Sequence, residues 1–253
     1  MGKLLSSALP RLKIQNVKGF VNITDRYLRS TAEYPTDDWP FLYYRSKGIT
    51  AEYLYTLLLL AALSAVVVFV VLPAGRVNYI EAGHFFFLGA GFLLLEVRNI
   101  TSMALSFGST WAVTSIVISA LLLMILGANY LVQRMRLQTS LTAIWLFLFL
   151  SVILAALWHE SLLSFAGPAI RSIFAVVIAS LAFLFAGIIF AISFSQTTAP
   201  GRALGYNVLG AVVGGLAEYL SLAIGIRGIS FLALGFYLIA FLLRRGNRAV
   251  PAA

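Results

Sequence analysis

Glu96, Arg98 and Asn99 interrupt an otherwise apolar run, HFFFLGAGFLLLEVRNITSMALSFGSTW, at residues 84–111. A charge at bilayer depth is costly, so such residues face protein or a water-filled cavity and serve as ion paths, proton relays or internal ties. Glu81 and Glu218 are further carboxylates next to or inside apolar stretches. The structural alternative to a proton or cation path is an internal ion pair, Glu96 or Glu218 with Arg98 or Arg171. Such a pair stabilises only when its remaining hydrogen bonds are also met. Glu96 and Arg98 cannot neutralise each other on a straight helix. Two residues apart, they diverge by about 200°, so each needs its own partner.

A second polar set falls at Asn207, Gly210, Gly214 and Glu218, spaced i, i+3, i+7 and i+11 along one helical stripe. Gly210-x-x-x-Gly214 lets a neighbouring helix approach closely. The stripe is therefore expected to face protein, for packing first and a ligand or ion path second. Glu96, Arg98, Asn99, Asn207 and Glu218 together make the candidate intramembrane polar cluster.

Other chemistries are thinly supplied. His84 and His159 are the two candidate ligands for a haem or a chlorophyll-type pigment, imidazole being a common axial ligand. Without a CxxCH motif or a repeated His pattern, no cofactor is expected, and both read as hydrogen-bonding residues near span ends. The absence of Cys removes thiol catalysis, disulfides and thiolate metal sites. The last lysine, Lys47, precedes the first apolar run, so no membrane-embedded lysine can form a Schiff base with retinal. No Ser-His-Asp set, zinc spacing or Walker loop occurs, and no catalytic residue or metal site is predicted. Gly89-x-Gly91 lies in an apolar run with no strand before it, and reads as helix packing.

The elements that hold these residues follow from composition. The 253 residues are 61% hydrophobic and 11% charged, against about 25% charged in soluble domains. This is the signature of an all-α polytopic transmembrane bundle. Spans of about 20 residues are expected near 53–73, 80–98, 110–132, 140–158, 169–195, 205–224 and 228–244. There are six or seven, because the 80–107 region either crosses as one long helix or dips in and returns. Residues 1–50 form a basic amphipathic segment suited to a membrane surface, 51–245 the bundle, and 246–253 a short tail. Pro35–Tyr43 reads as a rigid turn whose two Asp bond nearby backbone. Trp39, Phe41, Tyr43 and Tyr44 are placed in an interfacial aromatic belt. No signal-peptide pattern is visible.

The net charge of +9 is read as topogenic charge and contact with anionic lipid, not as nucleic-acid binding. With the N-terminus inside and seven crossings, the inner face holds the eight N-terminal cations plus Arg98, Arg171 and Arg227. If 80–98 does not cross, Arg134, Arg136, Arg202, Arg244, Arg245 and Arg248 move inside and only four cations stay outside. The positive-inside rule favours the second arrangement, with both termini cytoplasmic.

TDDWPFLYYR (36–45), FFFLGAGFLLLEVRNIT (85–101), LSFGSTWAV (105–113) and ALGYNVLGAVVGGLAEYLSLAIGIRGI (203–229) occur in this order. They resemble the membrane-embedded C-terminal region of bacterial multi-span spermidine-synthase-like proteins, over roughly residues 30–245. In that family a soluble aminopropyltransferase- or methyltransferase-like domain of Rossmann type precedes the TDDWPFLY element. Here only some 35 polar residues precede it, too few for that domain, and no GxGxxG follows a strand. The resemblance therefore implies a stand-alone membrane domain in a bacterial inner membrane, without the synthase chemistry. The expectation is a non-catalytic membrane subunit that docks to and scaffolds a larger complex of membrane proteins. The alternatives are a small transporter or channel using the polar cluster, and the membrane half of a split synthase-like enzyme.

Overall fold

The computed structural model describes residues 36, 38–41, 47–71, 78–108, 111–135, 141–157 and 167–249. Residues 1–35, His159 and the side chain of Arg171 lie outside that set. The described elements are helical: α1 (Ala51–Val71), α2 (Tyr79–Phe107), α3 (Trp111–Met135), α4 (Leu141–Leu157), α5 (Pro168–Ser195), α6 (Pro200–Ala217), a 3₁₀ turn (Glu218–Leu220) and α7 (Ser221–Ala249). Four helical stretches are long and apolar enough to cross a membrane. Much of their outer surface is bare leucine, isoleucine and valine. These are the marks of a helical membrane protein, whose backbone polar groups must be met within each helix.

α2 is the central helix. It begins at Asn78, whose side-chain oxygen accepts from the Ile80 and Glu81 amides, and runs 29 residues, about 43 Å. It has no break, so the dip-and-return arrangement is corrected: a chain cannot re-enter without a bend. Arg98 and Asn99, the polar residues set into this apolar run, are buried against α4 and α5.

Cross-contacts give the other helices their directions. Asn207 meets Phe85, Gly214 meets Ala90 and Glu218 meets Thr101, so α6 runs parallel to α2. Tyr237 lies over Gly91, Ala240 meets His84 and Leu243 meets Gly83, so α7 runs antiparallel. In α5, Ala179 meets Asn99, Phe183 meets Phe92 and Ser193 meets His84, again antiparallel. In α4, Trp145 lies by His84 and Ala155 by Arg98, which makes it parallel. The long helical stretch from Pro200 to Arg245 is thus a hairpin, not one rod. It turns at Gly225, whose φ of 78° and ψ of 172° interrupt the helix. Prolines at the first turns of α5 and α6 suit positions where an amide would have no partner.

The core is aliphatic and aromatic, centred on Phe85, Leu94, Trp145, Leu148, Phe183, Ile189 and Tyr237. α1 stands apart. It touches α6 and pairs Tyr53 with Tyr219, but Leu58, Leu59, Leu63, Val66 and Val70 stay exposed, Val70 at 78%.

Trp39 is turned into the protein and not out to an interfacial belt, and Tyr43 and Tyr44 lie outside the described residues. Thr36 and Trp39 exchange backbone bonds of 3.1 and 2.9 Å, closing a tight turn. Trp39 is only 2% exposed, and its indole N–H donates to the Leu222 carbonyl at 2.8 Å. Asp38 does not serve its own neighbours. Its carbonyl accepts from the Ile226 amide at 2.9 Å and its side chain from the Arg227 amide at 2.7 Å. It thereby caps the second half of α7. The segment clamps the α6–α7 turn, at the Phe107 end of α2. Arg244, bonded to Ser193 and Gln196, lies at the opposite end.

Candidate functional site

The polar residues of the apolar core divide among separate sites. On α2, Arg98 and Asn99 point towards α4 and α5. Arg98 donates to Asn99 Oδ1 at 3.1 Å and to the Ala155 carbonyl at 3.2 Å. Asn99 donates to the Ala179 carbonyl at 2.7 Å. Arg98 therefore meets a carboxamide and a carbonyl, where an ion pair with Glu96 or Glu218 was the alternative. Two helical residues earlier, Glu96 faces away, as the angular offset requires. It lines a cleft of about 330 Å³ between α2, α3, α5 and α6.

Leu88, Phe92, Leu93, Ile125, Phe190 and Ala211 supply the apolar wall of that cleft. Its polar members are Glu96, Asn129 and Asn207. Asn207 donates to the Phe85 carbonyl at 3.1 Å and sits level with Gly89. Glu96 is seven residues further along α2, about 10 Å. The cleft thus has carboxamide at one end and carboxylate at the other. Asn129 was not singled out in the sequence. A lone Asn between Ala128 and Tyr130 carries no signal until α3 is seen to turn it to the same opening.

The α6 stripe faces α2 along its whole length. A Cβ on Gly210 would lie 1.8 Å from the Phe86 carbonyl oxygen, and one on Gly214 would lie 2.1 Å from that of Ala90. Backbone meets backbone there, and only glycine leaves the room. Glu218 ends the stripe and accepts from Thr101 Oγ1 at 3.3 Å.

His84 is buried near the start of α2. Its Nδ1 donates to the Ala240 carbonyl at 2.8 Å, and its Nε2 lies 3.0 Å from Ser193 Oγ. Both ring nitrogens are engaged, and axial ligation would require breaking one of these contacts. Ser193 also receives Arg244, and nearby Thr197 donates to Glu81. This node ties the starts of α2 and α6 to the ends of α5 and α7. Among the described residues no group of three His, Asp or Glu side chains converges as a metal site would need. No protein-family model, no curated protein and no solved structure matches the chain.

Proposed function

We propose that the chain is a non-catalytic integral membrane subunit that docks to and scaffolds a larger membrane protein complex. The observation that carries this is the use made of the deep polar side chains. Arg98, Asn99, His84, Asn207 and Glu218 are bonded to other helices, which favours a rigid body over a moving path. The uncovered apolar side of α1 is the surface offered to a partner. We further infer seven crossings of a bacterial inner membrane, by a domain resembling the membrane half of spermidine-synthase-like proteins. An odd number of crossings puts the Asp38 clamp and Arg244 on opposite faces. The eight cations before the first span favour the clamp face as cytoplasmic.

One observation favours a transporter, the Glu96 cleft. That reading needs a path to both faces, yet Arg98 and Asn99, half a turn beyond, are turned away and bonded elsewhere.

The test is purification from native membranes in mild detergent, with a photo-crosslinking residue at Leu59, Leu63 or Val70. A single stoichiometric membrane-protein adduct from α1, with native mass spectrometry of the same particle, supports the subunit reading. A lone particle whose crosslinks go to lipid alone overturns it, as does substrate-dependent turnover by the isolated chain. A co-purifying soluble partner with a Rossmann domain would instead favour the split enzyme.

A further inference from the structure

The cleft at Glu96 has the size and composition of a ligand site. Its volume of about 330 Å³ lies within the range of about 300–1,000 Å³ usual for small-molecule pockets, which are apolar with a few placed polar groups. The polar clefts at the His84 end are smaller, about 80 and 160 Å³. A dry apolar cavity of about 150 Å³ already holds a benzene ring.

Three features point to what belongs there. Glu96 has no hydrogen bond or ion pair among the described residues and turns to the cleft. Asn129 is exposed six residues before the end of α3 and lines the same cleft. Asn207 spends its N–H on Phe85, which leaves its carbonyl oxygen as an acceptor. The cleft therefore offers acceptors at both ends, about 10 Å apart along α2, with an apolar wall between them. Two of its walls carry short side chains, Ala186 on α5 and Ala211 on α6.

We propose that this cleft binds a lipid-soluble amphiphile from the membrane: an apolar body whose hydroxyl or amine head donates to Glu96. A second polar group, or the head of a reversed molecule, meets Asn129 and Asn207. The ligand enters sideways from the bilayer between α3 and α6. Docking of the chain to other proteins is not needed for this, so the two proposals stand or fall separately.

The test uses the full chain in phosphatidylcholine nanodiscs and a diazirine-bearing long-chain alcohol. The matching diazirine alkane, which lacks a head, is the control. The alcohol should label α2, α3, α5 or α6 at the cleft, saturably, and unlabelled dodecanol or dodecylamine should compete. Glu96→Leu should weaken half-saturation about tenfold, the loss expected for one hydrogen bond to a charged group. Ala211→Phe should abolish labelling by filling the space. Glu96→Gln, which keeps shape and an acceptor, guards against misfolding and should lose only a few-fold. Non-saturable labelling, equal labelling by the alkane, or indifference to Glu96→Leu in a folded protein overturns the proposal. So does a crosslink showing the cleft filled by another protein's helix.

Discussion

Gly210→Ala is the sharpest probe of how this bundle is held together. The new Cβ would sit 1.8 Å from the Phe86 carbonyl oxygen and 2.6 Å from its carbon. Carbon and oxygen approach no closer than about 3.3 Å in ordinary close contacts. The two helices must therefore part by about 1.5 Å at this point. Neither contacting atom is the end of a flexible side chain, so a rotamer change cannot absorb the clash. A gap of about 0.5–1 Å already forfeits a quarter to a half of each contact's attraction. Asn207, about one turn away, would also lose its 3.1 Å bond to Phe85, worth about 0.6–1.7 kcal/mol between membrane helices. Overpacking alone costs about 1–3 kcal/mol. Together these give about 2–5 kcal/mol, roughly tenfold to a few thousandfold in the folded-to-unfolded ratio. The assay is steric-trap or detergent-titrated unfolding of the reconstituted chain. Gly235→Ala, where nothing lies within 4 Å, is the control and should be neutral or gain up to about 1 kcal/mol. Gly210→Ala combined with Gly214→Ala should cost less than the sum, because one displacement relieves both. If Gly210→Ala unfolded at the wild-type midpoint, the close approach of α6 to α2 would be wrong.

Asn99→Ala should lower stability by about 1 kcal/mol, because it removes the bond to the Ala179 carbonyl and leaves Arg98 without its Asn99 acceptor, and thermal unfolding in detergent would register it. Trp39→Ala should cost about 3–5 kcal/mol and Asp38→Ala about 1–2 kcal/mol. Both should open the Leu220–Arg227 turn to protease without altering the helix content seen by circular dichroism. Haemin added to the purified chain should give no shifted Soret band, and His84→Leu should leave the spectrum unchanged while lowering the melting temperature. An alkaline phosphatase fused after Ala253 should be active and a fluorescent protein there dark; the reverse pattern would place the C-terminus in the cytoplasm.

The helices were legible because each is a run of about 20 apolar residues, and the glycine stripe of α6 gave its buried face directly from its spacing. The continuity of α2 was not legible. Arg98 and Asn99 look like the polar side of a surface segment until Ala155 and Ala179, 57 and 80 residues away, meet them. Local pattern carries no record of such partners. The same limit hid the grouping of the polar residues. Glu96 and Arg98 are neighbours in the chain but serve different helix interfaces, whereas Glu96 shares its cleft with Asn129 and Asn207. Trp39 was placed with the other aromatics by its position before the first span. Its burial follows from a carbonyl in the α6–α7 turn, which no periodicity announces.

The clamp also sets a schedule for making the protein. Asp38 and Arg227 are 189 residues apart, and translation at about 5–20 residues per second separates their appearance by roughly 10–40 s. Throughout that interval the Trp39 indole has no Leu222 carbonyl to meet, and α2 lacks α6 and α7, the two helices packed along its length. The last hairpin to leave the ribosome is thus the one that completes the packing of the central helix and engages the Thr36–Trp39 turn. Chains truncated before Gly225 should accumulate as substrates for membrane quality control, with nearly every span already made.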